Sequence, residues 1–213
     1  MAEGGRFDRP DWDEYFMLQA ELAKLRSNCI ARKVGAVIVR DRRQIATGYN
    51  GTPPGIRNCY EGGCDRCQRR MKGLVASGED LERCLCNHAE ANAIMHCAIL
   101  GIEASSASSA TLYTTYVPCL ECTKMAITIG IRRFVCLEDY PESASQLTRE
   151  AGVTIQKIDR GRIDRWARQI ISGERAGPAP AGAQNRAGAG GGGGEGRGEE
   201  QEEEVGGDAA KCA

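Results

Sequence analysis

Two short stretches of this chain make sense chemically only if the fold brings them together: His88-Ala-Glu90 and Pro118-Cys119-Leu-Glu-Cys122. A catalytic zinc takes three protein ligands and leaves a fourth position for water. One imidazole (His88) and two thiolates (Cys119 and Cys122) supply those three. Zinc lowers the pKa of bound water from about 15.7 towards 7, so hydroxide is available at neutral pH. Glu90, two residues after His88, need not touch the metal and can carry protons as general base and acid. The fold is constrained accordingly. His88 opens the helical run HAEANAIMHCAIL, apolar at helical spacing. Pro118 suits the first turn of a second helix, where its missing N–H costs little. That helix runs through CLECTKMAITIG, and Gly130 is placed to stop it. Cys119 and Cys122 are three apart and reach one point from that first turn. A helix N-terminus also favours thiolate over thiol. The starts of two helices must therefore converge.

The elements around them follow from capping and periodicity. Asp11 with Glu14 three residues later forms a capping box for the helix DWDEYFMLQAELAKLRS. Val34 to Val39, VGAVIV, is a near-continuous apolar run, as in a strand covered on both faces. A charged turn, RDRRQ, leads to a hairpin partner, QIATGYN. Asn50-Gly51 and Pro53-Pro54-Gly55 make a loop, followed by a cysteine-rich insertion over 59–86. The order then predicts helix (88–100), strand (111–117), helix (118–129), strand (IRRFVCLED), helix (SASQLTREAG) and strand (VTIQKI). A last helical run, DRWARQIIS, caps the domain. Helices alternating with strands predict an α/β fold, a three-layer α/β/α sandwich around a mixed sheet.

Composition sets the outer limits. Of 213 residues, those from Gly173 onward carry 13 of the 27 glycines and no Leu, Ile, Phe, Tyr or Trp. Such a segment cannot bury enough surface to fold. One domain over 1–172 and a disordered Gly/Glu-rich tail over 173–213 are expected. The tail has eight acidic and four basic residues, net −4, so the rest is +3, the whole being −1. A mildly basic domain suits a small anionic substrate and lacks the dense basic stripe of a nucleic-acid surface. No apolar run is long enough to span a bilayer. The N-terminus lacks the basic-then-apolar order of a secretory signal. Eleven cysteines at metal-like spacing then argue for reduced thiols and zinc in the cytoplasm, not disulfides.

H-x-E followed by P-C-x-x-C is the signature of zinc deaminases acting on nucleobases. VGAVIV, ATGYNGTPPG, CNHAEANAI and PCLECTKMAITIGI together narrow it further. Over roughly residues 11 to 160 the chain resembles the deoxycytidylate (dCMP) deaminases. The insertion CYEGGCDRC and the CLC before His88 resemble fungal members most. The resemblance implies a cytidine-deaminase-like fold and hydrolysis of dCMP to dUMP and ammonia, supplying the precursor of thymidylate. It also implies activation by dCTP, inhibition by dTTP and a homo-hexamer. By the same resemblance His88, Cys119 and Cys122 hold the catalytic zinc and Glu90 shuttles protons. Asn50 contacts the deoxyribose, Tyr140 lies near the substrate phosphate, and Arg26 is a weaker phosphate candidate. The rival readings are a tRNA or polynucleotide editing deaminase, which needs a basic groove, and an inactive zinc scaffold, which has no use for Glu90.

Cys64-x-x-Cys67 and Cys84-x-Cys86 are compact pairs with spacing suited to a closed structural zinc site. The resemblance implies that a second zinc uses Cys29 and Cys59. The expected set is Cys29, Cys59, Cys64 and Cys84, with Cys67 and Cys86 as alternatives to the last two. Cys97 and Cys136 lie in apolar runs and read as core. His96 reads as packed or partly exposed, and Cys212 as inert in the tail.

Overall fold

The computed structural model describes residues 8–102, 110–140 and 144–172. The expected tail over 173–213, with Cys212, lies outside them. The first helix, α1 (Trp12–Lys24), starts on a complete capping box. The Asp11 carboxylate accepts from the Glu14 N–H at 2.8 Å, and Glu14 Oε2 accepts from the Asp11 N–H at 2.8 Å. A hairpin follows, β1 (Gly35–Arg40) and β2 (Arg43–Tyr49), turned by Asp41 and Arg42 at positive φ. Next come α2 (Asp65–Met71), α3 (Ala89–Ile99), β3 (Thr111–Tyr116), α4 (Leu120–Thr128) and β4 (Arg133–Glu138). The chain then runs through α5 (Ser145–Glu150), β5 (Thr154–Lys157) and α6 (Arg160–Ser172).

The sheet order is β2-β1-β3-β4-β5. β1 is antiparallel to both neighbours, while β3, β4 and β5 run parallel. This is the mixed sheet expected. Successive strand residues point to opposite faces, and two separate cores result. Ala36, Ile38, Leu112, Phe134 and Cys136 pack against Ala89, Ala93 and Cys97 of α3 and Ala126 of α4. Val37, Val39, Tyr113, Val135 and Leu137 pack against Phe16, Met17 and Ala20 of α1 and Ile163 of α6. The architecture is a three-layer α/β/α sandwich, as the sequence predicts.

Two glycines set the layer spacing. A Cβ at Gly35 would lie 2.0 Å from the Ala20 carbonyl of α1, and one at Gly48 2.0 Å from the Ala89 carbonyl of α3. Bare backbone here lets both helices seat directly on the hairpin. A polar tie joins α1 to the sheet centre, with Arg133 donating to both Asp13 oxygens at 3.0 and 2.7 Å and Tyr113 donating at 2.8 Å.

The helices differ from expectation in the insertion and at several starts, α3 beginning at Ala89 with His88 as its N-cap. α4 begins at Leu120, because Cys119 is its extended N-cap at φ −66° and ψ 172°. α6 begins at Arg160, four residues early, where Asp159 Oδ1 accepts from the Arg162 N–H at 3.2 Å. α2 inside the cysteine-rich insertion has no apolar period to betray it; only Arg66 and Cys67 are buried on it. Among the described residues no helix is long and apolar enough to cross a membrane.

Candidate active site

The two helix starts do converge. His88 is the N-cap of α3 and Cys119 that of α4, and neither side chain caps its own helix. Both turn instead towards each other, which explains why residues outside the usual Ser, Thr, Asp and Asn stand there. His88 Nδ1 lies 3.3 Å from Cys119 Sγ and 3.4 Å from Cys122 Sγ. Zinc bonds of about 2.3 Å to sulphur and 2.0–2.1 Å to nitrogen put tetrahedral N···S edges near about 3.5 Å. One imidazole and two thiols within 4.8 Å of one another therefore fit three ligands of a zinc site with an open fourth position. The contact with Cys119 pushes the His88 imidazole up to about 9, against its burial. Cys119, hydrogen-bonded by Cys122 and His88, falls to about 4. Cys122 is pushed up by Cys119 beside it and by burial.

Glu90, in the first turn of α3, is 5% exposed. Its Oε1 accepts from Thr114 Oγ1 of β3 at 3.3 Å, and Oε2 lies 3.8 Å from Cys122 Sγ. Burial raises its pKa. A carboxyl that holds its proton more tightly than usual, beside an imidazole nitrogen and two sulphurs spaced to hold a metal, suits a general acid and base.

His88, Glu90 and Cys119 line a cleft of roughly 670 Å³ of empty space, its open mouth included. Asn50, Tyr116 and Tyr140 line it too. Asn50 is buried and heavily used by the fold. Its Oδ1 accepts from Ser27 Oγ at 2.7 Å and the Val34 N–H at 2.8 Å, and its Nδ2 donates to the Arg32 carbonyl at 2.7 Å. One amide N–H remains. Arg26 is exposed and is not part of the cleft lining. Arg32 stands in the lining instead, its guanidinium 4.8 Å from the Tyr116 ring and 5.7 Å from the Tyr140 ring. Arg66 and Arg70 of α2 complete a cationic wall.

The reading of the sequence did not single out Arg32, Arg70 or Tyr116. Tyr116 was within reach, since it ends a parallel strand, where ligands of open α/β sheets collect. Arg32 lies in an irregular stretch between α1 and β1, where no periodicity assigns a direction.

The remaining thiols collect next to the cleft. Cys29 and Cys59 meet Cys67 and Cys86, whereas Cys64 and Cys84 join the same Cys67 and Cys86 from the other side. Of the expected set, Cys29 and Cys59 form one tetrad with the alternatives Cys67 and Cys86, whereas Cys64 and Cys84 belong to the other. Cys97 and Cys136 are buried in the α3 face of the core, and His96 is exposed on α3.

An α/β/α sandwich in which two helices begin on a His-Cys-Cys triad beside a buried glutamate has the donor set of a candidate metal site with an acid–base group at hand. Residues 10–138 match the family model of the cytidine and deoxycytidylate deaminase zinc-binding region, and the chain belongs to that family. It is 44% identical over 151 residues to the deoxycytidylate deaminase of Schizosaccharomyces pombe, covering 70% of this chain and 44% of that protein. It is 43% identical over 140 residues to that of Mycobacterium phage D29, covering 64% of this chain and 98% of that one. The dCMP deaminase of cyanophage S-TIM5, solved with dCMP and dUMP, superposes with a TM-score of 0.55 at 28% identity, over 71% of this chain and 99% of that one. The chain spans less than half the length of its two yeast relatives, 44% and 46%.

Proposed function

We infer that the chain is a zinc-dependent aminohydrolase that converts dCMP to dUMP and ammonia. The observation that carries this is the convergence of His88 Nδ1, Cys119 Sγ and Cys122 Sγ beside buried Glu90, at a cleft with a cationic wall. Bound there, zinc supplies a nucleophile by acidifying water. Glu90 takes a proton from the attacking water and hands it to the pyrimidine ring nitrogen as the amino-bearing carbon becomes tetrahedral. It then takes the remaining hydroxyl proton of the tetrahedral carbon, as that oxygen becomes the carbonyl, and delivers it to the departing amine, which leaves as ammonia. Thr114 holds Oε1 in place for both transfers.

Asn50 offers its remaining amide N–H to the deoxyribose. Arg32, held over two tyrosine rings, offers a planar guanidinium to the 5′-phosphate. It takes the role that resemblance gave to Arg26, and Tyr140 serves by holding it. The curated relatives and the phage enzyme solved with dCMP support this substrate. The same reading includes supply of dUMP for thymidylate, regulation by dCTP and dTTP, a hexamer, a cytoplasmic location and a structural zinc in the insertion. Loss of ultraviolet absorbance tests it, with dCMP, cytidine and single-stranded DNA offered separately, each with and without dCTP. Turnover of dCMP alone, raised by dCTP, is expected. Activity confined to DNA would move the chain to the editing deaminases.

A further inference from the structure

Six cysteines outside the active site form two sulphur tetrads that share two members. Cys29, Cys59, Cys67 and Cys86 lie within 4.8 Å of one another, and so do Cys64, Cys67, Cys84 and Cys86. We propose that this group holds two zinc ions bridged by the thiolates of Cys67 and Cys86. Cys29 and Cys59 complete the first tetrahedron, Cys64 and Cys84 the second.

The spacing fits. Tetrahedral zinc with bonds of about 2.3 Å to sulphur places its ligands about 3.8 Å apart. Cys67 Sγ lies 3.8 Å from Cys29 Sγ in one tetrad and 3.8 Å from Cys84 Sγ in the other. Cys64 and Cys84 are 3.9 Å apart. A thiol equally close to one member of each outer pair is where a bridging ligand must sit. Six thiols cannot make two four-sulphur sites without sharing two. All six are free and five are buried, Cys84 being half-buried. Thiolates select zinc, copper(I) or iron–sulphur clusters. With six protein thiolates already filling two edge-sharing tetrahedra, no position is left for inorganic sulphide.

The insertion also needs the metals. Over 59–86 the buried residues are four cysteines, Arg66 and Val75. The apolar residues packed against this cysteine cluster are Ile30 and Ala31. A segment of that length without a core of its own is held by metal where it is held at all. The charge is matched as well. Binding releases six thiol protons to solvent, and six thiolates with two Zn²⁺ leave −2. Arg66, 5% exposed on the residue next to Cys67, donates to the carbonyls of Ala76 and Glu79 rather than to a carboxylate. Its cation is available to balance the cluster.

The choice of zinc rests on the structural-zinc reading above, whereas the pair of ions rests on the shared tetrads. Native mass spectrometry of the full chain separates them. Three zinc ions per chain are expected, one at His88, Cys119 and Cys122 and two in the cluster. The double variant Cys64→Ser, Cys84→Ser should hold fewer. Two ions in the wild type, unchanged in that variant, would overturn the bridged pair and leave a single structural zinc. One ion, or iron or copper in the cluster, would overturn both. Exchange of the wild type with ¹¹³Cd avoids any folding defect of the variant. Two all-sulphur resonances split by mutual coupling support bridging, and uncoupled or single resonances refute it. None of these readouts depends on turnover of dCMP.

Discussion

At the scale of single residues, Glu90 and Asn50 mark the difference between a role set by local sequence and one set by partners far along the chain. Glu90 stands two residues from His88 in the same helical turn, so its place beside the site follows from the motif. Replacing it with Gln keeps the shape and removes the proton carrier. Turnover of dCMP should fall by about 10²- to 10⁴-fold, with the zinc content by metal analysis unchanged. Activity near wild type would remove Glu90 from the mechanism. Asn50 followed by Gly51 reads as a turn pair, and its resemblance role is in substrate binding. Its accounting in the fold is different, for three of its hydrogen bonds pin Ser27, Arg32 and Val34. No local pattern announces bonds to partners up to 23 residues away.

Among elements, the seat of α3 on the hairpin decides where His88 and Glu90 stand. Gly48 makes that seat, with the Ala93 N–H 2.5 Å and the Ala89 carbonyl 2.0 Å from where a Cβ would be. Backbone cannot step aside as a flexible side chain can. Gly48→Ala should cost about 1–3 kcal/mol in urea denaturation. It should also lower turnover more than the unfolded fraction explains, because α3 carries the site. A second inter-element contact is the tie of α1 to β4. Burial opposes ionisation of Asp13, but hydrogen bonds from Arg133, Tyr113 and Gln156 prevail and hold its pKa below the usual carboxylate value. A depressed pKa contributes stability that is complete above the unfolded value, about 3.9. That stability is lost as pH falls from there through the lower folded value. Asp13→Asn should therefore be less stable than wild type by about 1–2 kcal/mol at pH 7, the pair being partly exposed. The two stabilities should draw together as pH falls below the unfolded value of about 3.9, when followed by denaturation at each pH.

On the scale of the whole molecule, every described core residue lies between Phe16 and Trp166. Residues 173–213 have the composition of a segment that buries nothing. A chain ending at residue 172 should keep its melting temperature within about 2 °C, the shift expected from a few tenths of a kcal/mol, and keep its turnover of dCMP. A large drop in either would make the tail part of the domain.

Local sequence carried the alternation of helices and strands, the capping box at Asp11 and the two motifs that supply His88, Glu90, Cys119 and Cys122. Each of these is built from patterns within a few residues, where periodicity, caps and ligand spacing act directly. Even there α2 and the first turn of α6 escaped notice, since neither carries an apolar period. Which thiols meet was settled by tertiary packing. Cys29 and Cys67 are 38 residues apart, and their contact depends on how the insertion folds back onto the segment between α1 and β1. It likewise put Arg32 rather than Arg26 in the cleft. Both arginines follow the same helix, and the direction of each is fixed by packing that begins outside their own segment.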